Sequence, residues 1–275
     1  MRIQSFRAPF LVSAMVLGCL GLAVECQGGS FGSVVPVRGT VSDIALDESR
    51  SAIYAANFTA YRVEVIDTGS RSIRATISVN RPPSAVALSP DARYLVIGEY
   101  EKPNTTTQTF DGVGGITIRD FVTNATRHID LSTPVLTVSF GSDGKALILT
   151  RSAISDTGNT TPSTTLWLLD PASAVLTPVD TFTIFSTDLS VKLNQFPGQI
   201  IQASAGVSGD RNMIVLLAGV ESDVPASSKA WIVIRYDVLR KTAVGQNWIG
   251  APAAPRSVAV DNDGTNVMAD WTLYH

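Results

Sequence analysis

Histidine, the side chain that most often serves as a general base, is scarce in this sequence. Only His128 and His275 occur among 275 residues, and we expect His128 at the start of an outer strand, on the surface and away from the long loops. A Ser-His-Asp triad needs a histidine beside its nucleophile, and a multi-histidine zinc site needs several. The sequence therefore predicts no catalytic residue and no metal site.

A second set of polar and aromatic residues is suited to binding. It lies on or beside the longest predicted loops and comprises Glu99, Tyr100, Phe110, Asp111, Arg151, Asp156, Glu221 and Asp223. Aromatic residues and arginine anchor many interfaces, and a carboxylate cluster can hold a hard cation such as Ca²⁺. No carboxylate spacing in the chain matches a calcium loop, so we favour solvated loop charges and predict no cofactor. Burial of the aromatic side chains in their own loops remains an alternative.

Short strands must position these residues, because apolar and polar residues alternate with a period of two through the chain. The clearest stretch runs from Ser51 to Asp91, where clusters of turn-forming residues separate four short runs. Within it, Ile53–Asn57, Val63–Thr68 and Pro83–Asp91 resemble the YVTN-type β-propeller repeat. The resemblance implies blades of four antiparallel strands, often seven to a ring in that family, and it implies no particular chemistry.

Turn residues that follow the inner strands repeat along the chain. They are Asp47, Asp91, Asp143, Asp210 and Asp263, at intervals of 44, 52, 67 and 53 residues. Intervals of about 40 to 50 residues fit four-stranded propeller blades. The sequence thus predicts an all-β propeller over residues 33–275. Its blades are expected at about 40–79, 83–131, 134–180 and 200–249, with a partial blade at 255–275 and residues 33–39 as an outer strand that closes the ring.

Aspartate ends four of the predicted third strands, at Asp67, Asp120, Asp170 and Asp237. A carboxylate at that place can accept hydrogen bonds from the backbone of the following turn. We therefore interpret these four residues as structural.

The chain reaches His275 within or just after the second strand of the predicted fifth blade, so we expect no third strand there. This favours a fragment of a longer propeller, and a poorly closed five-bladed ring is the alternative. A fragment of this kind would be an open arc whose bare edge associates.

The first 26 residues have the features of a secretory signal peptide. Arg2 and Arg7 precede an apolar run from Phe10 to Val24 that is short for a membrane span. Residues 1–26 are thus predicted to direct the protein to a secreted or periplasmic location. The residues before Cys19 loosely match a lipoprotein leader, so a lipid anchor at Cys19 is an alternative to an ordinary apolar position in the leader.

Charge and cysteine content narrow the range of partners. The formal net charge is −3, with 21 basic and 24 acidic residues, and no basic cluster is present. A nucleic acid or an anionic membrane would need such a cluster, so neither is predicted as a partner. Both cysteines, Cys19 and Cys26, lie in the leader, so no disulfide is expected in the rest of the chain.

Long connections are confined to one side of the predicted ring, which we call the long-loop face. They are residues 99–114, 151–164, 181–199 and 219–229. The turns on the opposite side, the short-turn face, are short throughout. Binding residues concentrate on such loops, so the sequence predicts an extracytoplasmic scaffold for an unknown protein or small ligand. Tolerated insertion without a ligand is the alternative explanation of the loops.

A fragment of a propeller enzyme is the second hypothesis, because similar propellers include lactonases and the heavy subunits of quinoprotein amine dehydrogenases. A lactonase-like protein is expected to place acids, bases or metal ligands around the mouth of the central channel. The predicted inner strands offer only Asp43, Arg81 and Arg256 near their ends, which favours the binding scaffold.

Overall fold

The computed structural model describes residues 32–101, 113–151, 165–179, 199–221, 230–248, 257–269 and 272–274. From residue 35 onward these belong to one compact unit, Val35–His275. Within the described ranges the only helix is a 3₁₀ turn at Phe58–Ala60, and no helix is long and apolar enough to cross a lipid bilayer. The predicted leader at 1–26, with Cys19, lies outside the described residues.

Strands follow one another as antiparallel meanders in five separate sheets, one for each predicted blade. The first blade consists of β1 (Val41–Asp47), β2 (Ala52–Asn57), β3 (Arg62–Asp67) and β4 (Ser72–Ser78). The second consists of β5 (Pro83–Leu88), β6 (Tyr94–Glu101), β7 (Val113–Asp120) and β8 (Thr126–Leu131). The third consists of β9 (Val135–Phe140), β10 (Ala146–Thr150), β11 (Leu166–Asp170) and β12 (Val175–Pro178). The fourth consists of β13 (Gln199–Val207), β14 (Met213–Glu221), β15 (Ala230–Asp237) and β16 (Thr242–Trp248), and the partial fifth of β17 (Val258–Val260), β18 (Val267–Ala269) and β19 (Thr272–Tyr274). The predicted all-β architecture of four complete blades and a partial fifth is confirmed.

The fifth blade differs from the expectation in one respect. Its second strand ends at Ala269 instead of Trp271, and the strand β19 follows it and pairs with it, Val267 opposite Tyr274. The expectation that no third strand is present is therefore wrong.

Residues 33–39, predicted as an outer strand, have no regular secondary structure. Gly39 has a φ of +124°, and a Cβ there would collide with the side chains of Asn57 and Thr59. Only glycine allows this backbone conformation and this close approach to the first blade. The segment is thus shaped by side-chain contacts instead of by strand pairing.

The four aspartates that end third strands close the turns that follow them. Their Oδ1 atoms accept hydrogen bonds from backbone N–H groups of Ser70, Val122, Ala172 and Arg240, at 2.7, 2.8, 2.9 and 2.9 Å. The Ser70 N–H lowers the pKa of Asp67, and the Arg93 guanidinium lowers the pKa of Asp120. These contacts support the structural role expected from the sequence.

Hydrophobic cores lie between the blades. Each sheet has a forward face, which packs on the next blade in the chain, and a backward face, which packs on the preceding one. Between the first two blades, Tyr54 and Val65 of the forward face meet Val86 and Leu95 of the backward face. Tyr54 also stacks on Phe121 with ring centroids 5.5 Å apart. Three further clusters repeat this arrangement between the later blades.

A β-bulge recurs at the same place in the first four blades. One extra residue stands near the start of each inner strand, opposite the end of the second strand. The extra residues are Ser42, Ser84, Leu136 and Ile201. A bulge re-aims the side chains around it, so the bulges set the geometry at the long-loop end of every complete blade.

Candidate ligand-binding face

Three aromatic or basic residues occupy equivalent positions at the end of the second strand in successive blades. The backbone N–H of each donates to the carbonyl of the residue before the inner strand: Phe58 to Thr40, Tyr100 to Pro82 and Arg151 to Pro134, all at 2.8 Å. We call Phe58, Tyr100 and Arg151 the strand-end row. Two of its members are predicted binding residues, and each lies where its blade begins a long loop or, for Phe58, a 3₁₀ turn.

The strand-end row is continuous across three blades. The rings of Phe58 and Tyr100 have centroids 6.2 Å apart with their planes tilted by 52°. Nη1 of Arg151 donates a hydrogen bond to the hydroxyl of Tyr100 at 3.3 Å. All three side chains are half-buried, so they can support a ligand while part of each remains accessible.

The remaining predicted binding residues are placed as follows. Glu221 pairs with Gln199 at the equivalent strand end of the fourth blade, so its backbone extends the position of the row to a fourth blade. Phe110, Asp111, Asp156 and Asp223 lie outside the described residues. Within the described ranges, no three His, Cys, Asp or Glu side chains are grouped as a metal site would require.

Glu99 is fully buried beneath the row, with 0% exposure. Its Oε1 accepts a hydrogen bond from the Thr117 hydroxyl at 2.6 Å, and its Oε2 accepts one from the backbone N–H of Arg81 at 3.1 Å. Nδ1 of His128 lies 3.4 Å from Oε1. A buried carboxylate is stable only with several such partners, so Glu99 fixes the strand end from below instead of facing a ligand.

His128 lies in contact with this carboxylate, so the expectation that it is remote from the long-loop face is wrong. Its Nε2 lies 3.4 Å from Nη1 of Arg81 and 3.3 Å from Oδ1 of Asp130. Its Nδ1 lies between the Thr117 hydroxyl, at 3.1 Å, and Oε1 of Glu99, at 3.4 Å. Both ring nitrogens are engaged, which leaves the imidazole without a free position for general-base chemistry.

The sequence contained a signal that could have located His128. Thr117 and His128 are directly opposite each other in β7 and β8, and Glu99 is opposite Gly115, one same-face step away. Side chains on one face of a sheet repeat every two residues. If the register of β8 against β7 is known, the alternation of side chains predicts that Thr117, His128 and Glu99 lie on the same face of the sheet.

Comparison with known proteins identifies the fold. No family model and no curated protein matches the chain. Among solved structures, Kuenenia stuttgartiensis hydrazine synthase is similar with a TM-score of 0.57 and 14% identity, over 86% of this chain and 57% of that one. The Cps50 (Swd1) β-propeller domain of Myceliophteria thermophila is similar with a TM-score of 0.54 and 9% identity, over 86% and 65%. The chain is a β-propeller.

The chain thus spans about three fifths of the length of these two structures, and at such identities the likeness shows the fold alone. The propeller has a central channel of about 940 Å³, lined by the inner strands. Small and hydroxyl residues make up much of this lining, as expected where strands crowd an axis.

Asp43 is the acidic residue that the sequence predicts near the end of an inner strand, and it lines the channel of the propeller. Its Oδ1 accepts from the N–H of Ile44 at 2.8 Å and its Oδ2 from the N–H of Val86, in the next blade, at 2.9 Å. Burial raises the pKa of this carboxyl, against the opposing effect of the two hydrogen bonds. Because both oxygens bind backbone donors, Asp43 ties the first two inner strands together.

Proposed function

We propose that this chain is an extracytoplasmic propeller of the YVTN type that binds a protein or small ligand through its long-loop face. The observation that carries the proposal is the strand-end row, in which Tyr100 lies between Phe58 of the preceding blade and Arg151 of the next and contacts both. Aromatic rings and arginine are the side chains that most often dominate binding energy.

The buried network below the row supports this interpretation. Glu99 directly precedes Tyr100, and its hydrogen bonds to Thr117 and Arg81 hold the end of β6 in one position. Asn57 directly precedes Phe58 and accepts a hydrogen bond from the N–H of Ala60 at 3.2 Å. A binding surface that is fixed before its ligand arrives loses less entropy on binding.

The YVTN assignment is supported by the placement of the residues that carry the resemblance. Ile53–Asn57 falls within β2, Val63–Asp67 within β3, and Pro83–Leu88 forms β5. The turn after β5 is closed by the Ser89 hydroxyl, which donates to Oδ1 of Asp91 at 2.6 Å. Each part of the resembling stretch therefore has the role that a blade repeat would give it.

Export is tested with a fusion that reports location. Residues 1–31 are joined to alkaline phosphatase, an enzyme that is active only after export, and the fusion is compared with one in which Arg2 and Arg7 are kept and the apolar run at 10–24 is replaced by polar residues. We expect phosphatase activity from the first fusion only. Activity from neither fusion would contradict the proposed location.

Binding is tested by thermal-shift measurements with a panel of sugars, organic acids, amino acids and short peptides. We expect a probe that raises Tm, with the shift lost in Tyr100→Ala and Arg151→Ala. The matched control is Arg240→Ala, whose side chain is 81% exposed on the short-turn face, and it should keep the shift. A shift that survives in Arg151→Ala, or that Arg240→Ala removes, would contradict binding at the strand-end row.

A further inference from the structure

A cleft of about 370 Å³ opens on the short-turn face between the second and third blades. Its lining comes from three turns, residues 89–91 of the second blade and residues 142–145 and 170–172 of the third, together with Tyr94. Both blades have four paired strands, and each packs on a neighbour on either side. We call this space the short-turn cleft.

The equivalent place between the first and second blades is filled by the side chain of Arg50. Its Nη1 donates to Oδ2 of Asp47 at 2.8 Å and to the carbonyl of Ala92, in the next blade, at 2.7 Å. The guanidinium also lies over the ring of Phe121, with Cζ 4.5 Å from the ring centroid. A guanidinium group thus joins the turns of these two blades.

The short-turn cleft has no such side chain, because the residue at the place of Arg50 is Asp91. Each of the two precedes a turn residue with a left-handed backbone, Ser51 with a φ of 49° and Ala92 with a φ of 56°. A carboxylate therefore replaces the guanidinium in the second turn. Among the described residues, no hydrogen bond joins residues 89–92 to the turns of the third blade.

The turns of the later blades bond to each other directly. The N–H of Ser142 donates to the carbonyl of Arg211 at 2.9 Å, and the N–H of Asp210 donates to the carbonyl of Asn262 at 3.1 Å. An open space between the turns is thus not a general property of the interfaces between blades.

Three carboxylates line the short-turn cleft, and each uses one oxygen to hold its own turn. Asp91, Asp143 and Asp170 accept through Oδ1 from the backbone N–H two residues further along, at 3.1, 3.1 and 2.9 Å. Within the described structure, no hydrogen bond reaches their Oδ2 atoms. Lys145 is the only cation among the residues that line the cleft, and Arg127, outside the lining, donates to backbone carbonyls of the third turn. The lining therefore carries an excess of negative charge.

Tyr94 is a second, independent indication of a ligand. Its ring is 7% exposed in the core between the two blades, and the Arg93 guanidinium lies 4.8 Å from the ring centroid. That guanidinium is held by Oδ2 of Asp120 at 3.0 Å. Among the described residues the Tyr94 hydroxyl makes no hydrogen bond, whereas a buried tyrosine hydroxyl usually has a partner. Since Tyr94 lines the cleft, a bound group is the partner that this hydroxyl lacks.

We propose that the short-turn cleft binds a guanidinium group carried on an aliphatic chain, such as an arginine side chain. The planar fork of N–H donors in a guanidinium can bond several carboxylate oxygens and a tyrosine hydroxyl at once. A metal ion fits less well, because within the described ranges no three acidic side chains are grouped as a metal requires. The bound group takes the place that Arg50 fills one interface earlier. The proposal is independent of the binding function above, because the strand-end row is at the opposite end of the blades.

The test is an NMR titration of the full chain with N-acetyl-arginine amide, followed at the backbone amides of Gly144 and Ala172. We expect saturable shifts with a Kd on the order of 1 mM, because ion pairs at a surface are weak. N-acetyl-citrulline amide, which has the same shape without the charge, should not bind. Agmatine and the tripeptide Gly-Arg-Gly then distinguish the source of the group. Tighter binding of the tripeptide indicates a protein partner, and tighter binding of agmatine indicates a small guanidinium compound.

Two sets of variants change the cleft and preserve its turns. Asp91→Asn with Asp143→Asn keeps both Oδ1 acceptors and should weaken binding roughly tenfold. Tyr94→Phe keeps the buried ring and should weaken binding about threefold. Asp210→Asn is the matched control, because its Oδ1 accepts from the Ser208 hydroxyl and a turn N–H at 2.6 and 2.9 Å, as Asp91 does in its own turn, and it is not part of the cleft lining. Near-ultraviolet circular dichroism checks the fold of each variant.

Four results would overturn the proposal. They are equal affinity for the citrulline compound, no saturable shift with the arginine compound, undiminished binding by the Asp91 and Asp143 variant, and a loss of affinity in Asp210→Asn as large as in that variant. The citrulline comparison uses the wild-type protein, so its outcome does not depend on the folding of any variant.

Discussion

The first two blades and the next two place different side chains at one equivalent position. This position directly precedes the strand-end row, and the residues there are Asn57, Glu99, Thr150 and Val220. Asn57, Glu99 and Thr150 are all fully buried. Asn57 and Glu99 each join several hydrogen bonds, whereas the Thr150 hydroxyl donates to the carbonyl of Thr165 at 3.2 Å. Among the described residues, networks of this kind lie at this position in the first two blades.

Within that polar pair, the carboxylate comes from different strands. In the first blade it is Glu64 on β3, whose Oε1 accepts from Nδ2 of Asn57 at 3.3 Å and from Nε of Arg62 at 2.7 Å. In the second it is Glu99 on β6, which accepts from Thr117 on β7. One buried anion is present in each case, whichever strand supplies it. This favours a structural role for the buried carboxylate over a catalytic one, because a catalytic group would be expected on the same strand in each blade.

The bulge residues show the same division. In the first two blades they are serines, and their hydroxyls donate across the interface to the next blade, Ser42 to the carbonyl of Pro83 and Ser84 to that of Val135, both at 2.7 Å. In the next two blades they are Leu136 and Ile201. At the bulge, hydrogen bonds therefore join each of the first two blades to the next one, whereas the third and fourth blades have apolar side chains there.

Removing Glu99 should have the largest effect on stability. Glu99→Ala leaves the Thr117 hydroxyl, the Arg81 N–H and His128 without their acceptor in a buried site, so we expect a loss of about 3 to 5 kcal/mol in the free energy of unfolding. Urea denaturation measures it. Glu99→Gln keeps the shape and one acceptor and should lose less. A loss below about 1 kcal/mol for Glu99→Ala would mean that the second blade does not depend on its buried anion.

Replacing the equivalent residues of the first and third blades should show whether the polar network around Asn57 contributes more to stability than the hydroxyl of Thr150. Asn57→Ala removes the donor to the Arg38 carbonyl at 2.8 Å and the acceptor for Ala60, so a loss of about 2 kcal/mol is expected. Thr150→Val removes the hydroxyl that donates to the Thr165 carbonyl, for a loss of about 1 kcal/mol. Both are measured by the same denaturation. Equal losses in the free energy of unfolding would contradict the proposed difference between the blades.

The serine bridges are expected to contribute less. Ser84→Ala removes the hydrogen bond to Val135 but leaves a carbonyl that can find other partners, so the expected loss is about 1 kcal/mol. Ser70→Ala is the control, because that hydroxyl is exposed in a turn and its partners Ser72 and Asp67 belong to its own blade. A thermal melt that shifts equally for both variants would show that the bridges between the early blades are not stabilising.

Much of the fold could be predicted because its determinants are local. Strand alternation and the turn residues around Ser89, Asp91 and Asp120 depend on neighbours only a few residues away, and these predictions agree with the structure. The contact of His128 with Glu99 could not be predicted in the same way. It depends on the register between β7 and β8 and on Arg81 reaching over from the linker, and both are set by pairing across the sheet.

The strand-end row was predicted in part for a similar reason. The residue types of Tyr100 and Arg151 and the loops that follow them indicate a binding role from the sequence alone. Phe58 was missed because only a 3₁₀ turn follows it, and its equivalence to Tyr100 is visible only in the shared hydrogen bond to the residue before the inner strand. Glu99 was expected on the surface, but its place in β6, one residue before Tyr100, turns it into the sheet.

The smallest expected effect concerns the turn aspartates, and it compares the two polar blades directly. The pKa of Asp120 is lowered by the Arg93 guanidinium, at 3.0 Å from Oδ2, and then by turn N–H groups. Asp67 is held by the Ser70 N–H and more weakly by Arg74, at 3.1 Å. A carboxyl whose pKa is lowered in the folded protein stabilises the fold at pH values above its ordinary pKa of 3.8. That contribution is lost as the pH falls through the lowered pKa. Asp120→Asn should therefore flatten the fall in Tm on acidification, and Asp67→Asn should flatten it less. If Asp67→Asn has the greater effect, the backbone turn outweighs the ion pair, and the acid sensitivity of the two blades must be assigned in the reverse order.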